Sequence, residues 1–253
     1  RPQPPPVMRR LLPEPAADID LDELLAGLRP WEGAPSDRPY VLTNFALTLD
    51  GRATIGGRSG PIAGDADTSL LVGLRTRVHA VMIGAETLRA ERYGRIIRSQ
   101  AKRERRERLG LPHDPLAVIV GSMDLPWDAP LFTEGGRVLI FTTDDAERPP
   151  TKSSVRVVRH EGDRVDLRAA LEHLRRERGV TSLLCEGGPH LHGELLAAGL
   201  VDELFITRAP KIAGGEGPGL VAGIDESPID AELVWLLHDP QTGDLFGRYR
   251  VAR

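Results

Sequence analysis

The sequence holds a single cysteine, Cys185, in 253 residues. One thiol forms no internal disulfide and no cysteine-based zinc site. That suits a reducing compartment, and a cytoplasmic location is expected. No apolar run approaches the ~20 residues that span a bilayer. The start, Arg-Pro-Gln-Pro-Pro-Pro, lacks an apolar signal core. Charge of one sign is also missing: 33 basic against 37 acidic residues leave −4. Such a chain has no electrostatic reason to favour nucleic acid or an anionic membrane, so an anionic ligand needs a local site. No G-x-G-x-x-G follows any strand-like segment, which argues against a Rossmann dinucleotide site. Metal-ligand spacing is absent too. His190 and His192 stand too close together for an HExxH-type pair and read as surface residues, so no metal is expected.

What is present is ordinary for a soluble globular protein: 40% apolar and 28% charged residues. Residues 1–39 read as a Pro-rich, irregular arm with one amphipathic piece, Ile19 to Leu28, and residues 40–253 as one domain. Within that domain, strand-like and helix-like segments alternate. Tyr40 to Leu47, Ala80 to Ile83, Leu116 to Val120, Val138 to Phe141, Val155 to Val158, Thr181 to Cys185 and Glu203 to Thr207 read as strands. Asp65 to Arg77, with Asp65 or Asp67 as its cap, and the stretch from Asp166 to Gly179 read as helices. The charged run 99–109 reads as a solvated helix face. The tail, Glu232 to His238 and Leu245 to Val251, reads as a hairpin. Trp235 and Leu237 in that hairpin suit either the core or a subunit interface. The alternation implies an α/β fold with a mainly parallel sheet, helices on both faces and a C-terminal antiparallel hairpin. Ligands of such sheets bind beyond the carboxyl ends of the strands.

Three segments occupy those ends. The first runs from Asn44 to Arg52 and on through Gly56-Gly57-Arg58-Ser59-Gly60. The second is Ile83-Gly84-Ala85-Glu86-Thr87. The third is Cys185-Glu186-Gly187-Gly188-Pro189. In the third, a strand ends, two glycines turn the chain and a helix begins. Its unpaired N–H groups suit a phosphate, although a plain strand-to-helix turn has the same spacing. Glu186 beside a phosphate would repel it, so a functional Glu186 faces a different ligand, such as a ring N–H next to an exocyclic amine. Asp50-Gly51 reads either as turn chemistry or as a proton-handling carboxylate. The stretch Gly214 to Gly219 reads as a loop. Cys185 reads as core.

The order N-F-x-L-T-L-D-G, G-x-S, L-R, I-G-A-x-T-L-R-A-E, E-G-G and L-V-D-E-L resembles the reductase domain of riboflavin biosynthesis proteins, a dihydrofolate-reductase-like family. The resemblance runs from about Pro39 to Arg253. It implies a pyrimidine reductase that uses NADPH and works as a homodimer on a pyrimidine ribose phosphate. By the same resemblance, Asn44, Ser59, Arg75, Arg98 and Glu186 contact the substrate. Ala46, Thr87, Ser122, Gly187 and Gly188 contact the dinucleotide. Asp50, Glu91 and Glu186 stand near the reaction. Departures from the family pattern fall at Asn44, where Lys is common, at Glu91, where Asp is usual, and at His79 in place of an Asp.

The reaction so implied is hydride transfer to C1′ of a ring-opened ribosylamine. The H-x-E and P-C-x-x-C signature of the zinc deaminase that often precedes such a domain is absent, so a stand-alone reductase is expected. Two alternatives remain: a dihydrofolate-reductase-like activity on a pterin, and a non-catalytic nucleotide-binding member of the fold.

Overall fold

The computed structural model describes residues 7–252. The chain runs through β1 (Met8–Leu12), β2 (Ala16–Ile19), α1 (Leu21–Ala26), β3 (Tyr40–Leu47), α2 (Asp65–Arg75), β4 (Ala80–Gly84), α3 (Ala85–Glu91) and α4 (Gln100–Arg108). It continues through β5 (Leu116–Val120), α5 (Pro130–Thr133), β6 (Arg137–Thr142), β7 (Ser154–Arg159), α6 (Leu167–Arg178), β8 (Ser182–Cys185), α7 (Pro189–Ala197), β9 (Glu203–Arg208), β10 (Ala231–His238) and β11 (Leu245–Val251). All eleven strands share one sheet, in the order β2-β1-β10-β11-β9-β3-β8-β4-β5-β6-β7. From β9 to β7 every pairing is parallel, and from β9 outward to β2 every pairing is antiparallel.

The central strands are apolar without interruption because both faces are covered. One face packs against α1, α2, α3 and α5 through Leu21, Leu25, Leu70, Leu74, Leu88 and Phe132. The other packs against α6 and α7 through Leu167, Leu171, Leu174, Leu191 and Leu195. Helix α6 has the ends its sequence promised. Asp166 accepts from the Ala169 N–H at 3.0 Å, and Gly179 closes the helix in the left-handed region. The first helix of the domain differs: Gly64 is its N-cap, and Asp65 and Asp67 lie inside the first turn.

Two other expectations are corrected. The arm is not irregular: β1 and β2 extend the sheet beyond β10, with Met8 fully buried. The Pro-rich run 1–6 lies outside the described residues. The charged helix α4 is not wholly solvated either. Arg106 is fully buried, and it donates to the carbonyls of Arg75 and Val78, 2.7 Å each, and of Pro112 at 2.9 Å. It caps the carbonyl end of α2, which has no partner within its own helix. Burial pulls its pKa down to about 10.

The hairpin of β10 and β11 is as read, but Trp235 and Leu237 are buried in the core, Trp235 against Phe205. They therefore mark no interface. Among the described residues no helix is long and apolar enough to cross a membrane.

Candidate active site

The carboxyl ends of β3, β4 and β8 lie side by side, because β8 inserts between the other two. The turns that follow β4 and β8 are pressed together. The Gly84 N–H donates to the Gly187 carbonyl at 2.6 Å. A Cβ at Gly84 would stand 3.2 Å from the Gly188 nitrogen, and one at Gly188 would stand 2.8 Å from Thr87 Oγ1. Gly187 has φ +97°, and a Cβ there would strike the ring of Phe45 at 3.0 Å. Side chains at these glycines would prevent the turns from meeting.

Two cavities open on this junction. One, about 220 Å³, is lined by Asn44, Ala46, Ser59, Glu91, Thr87 and Glu186, among others. The second, about 570 Å³, runs past Gly84, Ser122, Arg89, Arg164 and the start of α7. Gly188 lines both. One elongated ligand and one compact ligand can therefore touch across a single glycine.

Glu186 lies in the smaller cavity with its carboxylate almost closed to solvent. Arg75 donates to it twice, from Nε and from one Nη, each at 2.6 Å, and gives its other Nη to the Ile96 carbonyl. Burial alone would lower the Arg75 pKa, but Glu186 overrides that and keeps the guanidinium charged. Tyr93 also lines the cavity, with Arg75 over its ring at 5.7 Å. Burial and the Glu186 carboxylate hold its phenol well above the ordinary value, so it stays protonated. Ser59 donates to Glu91 from its N–H at 2.8 Å and its hydroxyl at 3.0 Å. Asn44 Oδ1 is buried without a hydrogen-bond partner. Such an atom is costly to leave unpaired, and a ligand donor in the cavity would satisfy it.

Asp67 belongs to the same cavity, and sequence reasoning missed it as a functional group. Burial pushes its carboxyl up to about 6, against a 2.6 Å hydrogen bond from Thr207 that favours the charged form. Its place in the first turn of α2 gave it a helix-start explanation that hid this one. Tyr93 was missed as well, and no pattern in its neighbourhood marks it.

In the larger groove Ser122 is exposed, and Arg89 lies 3.4 Å from its hydroxyl. Arg164 also lines the groove, paired with Glu194 at 2.9 Å. The dipeptide Ser122-Met123 supplies no cation by itself; the fold supplies one from α3.

Several expected site residues are placed elsewhere. Asp50 is fully exposed and does not line either cavity. Thr48 donates to it at 2.6 Å, as do the N–H groups of Ala213 and Gly214 at 3.1 and 2.8 Å. Those hydrogen bonds pull its carboxyl down to about 2, so it remains an anion that anchors the 211–219 loop. Arg52 assists by donating to the Gly215 and Gly217 carbonyls. Arg75 is turned to Glu186 and does not line the cavity. Arg98 is exposed and lines neither cavity. Gly187 lies behind Gly188, buried, as a support for the turn. His192 is not a surface residue: it is fully buried and stacks on Phe45 at 4.4 Å, with its pKa pulled down to about 4 by burial. His190 is exposed, as expected, and Cys185 is buried core. Among the described residues no group of acidic, His or Cys side chains could hold a metal ion.

Residues 39–236 match the family described as the RibD C-terminal domain. A 2,5-diamino-6-ribosylamino-4(3H)-pyrimidinone 5′-phosphate reductase of Archaeoglobus fulgidus is 32% identical, over 70% of this chain and 83% of its own. A protein of the same name from Methanothermobacter thermautotrophicus is 31% identical, over 75% and 87%. Among solved structures, a pyrimidine reductase-like protein of Corynebacterium diphtheriae superposes with a TM-score of 0.73 at 25% identity, covering 93% of this chain and all of that one.

Proposed function

The chain belongs to the RibD C-terminal domain family, and we propose that it is a reductase acting on a ribosylaminopyrimidine 5′-phosphate in riboflavin biosynthesis, with NADPH as hydride donor. The observation that carries this reading is the junction at Gly188, where a compact polar cavity meets a long groove.

The dinucleotide fits the groove. Gly188, the N-cap of α7, brings a bare helix start to the groove, suited to a pyrophosphate, and Thr87 stands beside it. When bound, the cofactor supplies the hydride. Arg89 stands beside Ser122 and Arg164 lines the same groove, cations suited to a ribose 2′-phosphate, which favours NADPH over NADH.

The pyrimidine fits the smaller cavity. Asn44 Oδ1 accepts from a ring amine there. Glu186, fixed by Arg75, faces the amino and N–H edge, and the Tyr93 phenol closes the wall. The sugar lies toward Ala46 and Gly188, with Ser59 and Glu91 at the mouth. Arg58 is exposed in the same turn and has no carboxylate partner among the described residues; its guanidinium makes one 3.5 Å contact, to the Ala90 carbonyl. It takes over the phosphate role that Arg75 cannot fill. Asp67, with a pKa near neutrality, handles the proton that accompanies hydride transfer to C1′. A cytoplasmic homodimer remains our reading of the assembly.

The test is NADPH oxidation, followed at its absorbance band, with ribosylaminopyrimidine phosphate and dihydrofolate side by side. Turnover of the ribosyl compound alone supports the proposal. Turnover of dihydrofolate, or of neither, overturns it. Running the diamino pyrimidinone and its deaminated counterpart in parallel identifies which ring is used.

A further inference from the structure

The opposite end of the sheet carries a second concavity, and nothing in the reductase reading uses it. It measures about 250 Å³ and lies where β5, β6 and β7 begin, under the last turn of α6. Three guanidiniums reach it from three elements: Arg137 opens β6, Arg156 lies on β7, and Arg178 ends α6. Register explains the convergence of the first two. Arg137 pairs with Ser154 and Leu139 with Arg156, so alternation places all four side chains on one face of the sheet.

The cations are not balanced by protein. No Asp or Glu lines the cavity, and among the described residues none of the three arginines forms an ion pair. Arg137 makes one long contact, 3.4 Å, to the Asp114 carbonyl. The Nε of Arg178 is buried with no partner. The carbonyl end of α6 offsets about half a unit of charge. An excess above +2 therefore remains around one concavity. Such an arrangement carries a self-repulsion that an anion would remove. The Ser154 hydroxyl adds a neutral donor, while Leu116, Leu139 and Val180, on the same face, form an apolar floor.

We infer that this concavity binds a small aromatic phosphate ester, the phosphate held by Arg137, Arg156 and Arg178 and the ring laid on the apolar floor. Arginine forks match phosphate oxygens in pairs, and an apolar floor beside them selects an ester over a bare ion. The site is separate from the reductase centre. β4 separates them: Gly84 stands five residue steps beyond His79, which is on the cavity wall, a span on the order of 15 Å at about 3.3 Å per residue. A ligand here and the dinucleotide can be bound at once.

The test uses the full chain saturated with NADPH, so that the groove is filled. Binding of phenyl phosphate is followed by ligand-observed NMR titration, with phenol and inorganic phosphate as controls. The expected result is saturable binding of phenyl phosphate, tighter than either control. Arg156→Gln and Arg178→Gln each weaken it about tenfold or more, the worth of a charge-assisted hydrogen bond to phosphate. NADPH affinity stays unchanged in both. Arg156 is exposed on an edge strand, so its variant tests the site even if Arg178→Gln disturbs the end of α6. Binding unchanged in both variants, or lost on NADPH saturation of the wild type, overturns the proposal. Equal affinity for inorganic phosphate, or for phenol, also overturns it, because one arm of the recognition is then missing.

Discussion

Arg75 and Glu186 lie 111 residues apart and meet as a two-bonded ion pair, both contacts 2.6 Å, with side chains 14% and 3% exposed. The carboxylate that resembles a ring-binding group is thus set in orientation before any ligand arrives. Removing one partner strands a buried charge, which costs about 3–5 kcal/mol. Arg75→Met and Glu186→Met should each lose stability on that scale in urea unfolding. The double variant should lose clearly less than the sum. Strict additivity would show that the pair is not coupled.

Gly188 lines both cavities, the proposed dinucleotide groove and the proposed pyrimidine site. Gly188→Ala places a methyl 2.8 Å from Thr87 Oγ1. NADPH affinity should fall about tenfold or more, since overpacking of this kind typically costs 1–3 kcal/mol. Adding Thr87→Ala should recover thermal stability by giving the methyl room. A Gly188→Ala protein with wild-type NADPH affinity would count against the groove as the dinucleotide site.

Asp67 carries a testable pH signature. Its folded pKa, about 6, is raised above the unfolded value by burial. Its contribution to stability is therefore full below the unfolded pKa and is lost as pH rises through about 6. Asp67→Asn has no such titration. Relative to wild type, the variant should gain stability between pH 4 and pH 7, by on the order of 1–3 kcal/mol. Urea midpoints at the two pH values measure it. The acidic or basic limb of kcat/KM near pH 6 should also disappear in the variant.

Asp50 predicts the opposite pattern. Its pKa of about 2 means that it does not titrate where enzymes of this kind are assayed. Asp50→Asn should leave the shape of the pH–rate profile unchanged. Amide hydrogen exchange at Ala213 and Gly214 should speed up instead, because their N–H groups lose an anionic acceptor. A displaced acid limb without faster exchange would restore Asp50 to the chemistry.

What the sequence disclosed follows physical reach. Leu116 to Val120 and Val138 to Phe141 announce central strands because a strand covered on both faces needs no polar alternation. The Glu186-Gly187-Gly188 turn announces itself because two glycines between a strand and a helix have few uses. Both signals are local. The pairing of Arg75 with Glu186 is not, and each residue separately resembled a ligand contact. Arg106 was read as solvent-facing because its own helix is almost wholly charged. It is buried because a different helix, α2, ends in carbonyls that need donors. The arm was read as irregular because prolines flank β1, whereas the edge of β10 offered it a ladder. Asp67 had a sufficient local reason for its position, and only the surrounding sheet gives it another.

The insertion of β8 between β3 and β4 also sets an order on synthesis. β3 has emerged from the ribosome well before either of its neighbours, β8 and β9, exists. Until then its apolar residues Val41, Leu42 and Phe45 have no ladder to join, and closing so long a loop is slow. The nascent chain can assemble β4 to β7 early, as a four-stranded parallel unit. The reductase centre, by contrast, comes into being only when the last third of the polypeptide is complete, and a chain truncated before Glu203 would leave its first strand without one of its two partners.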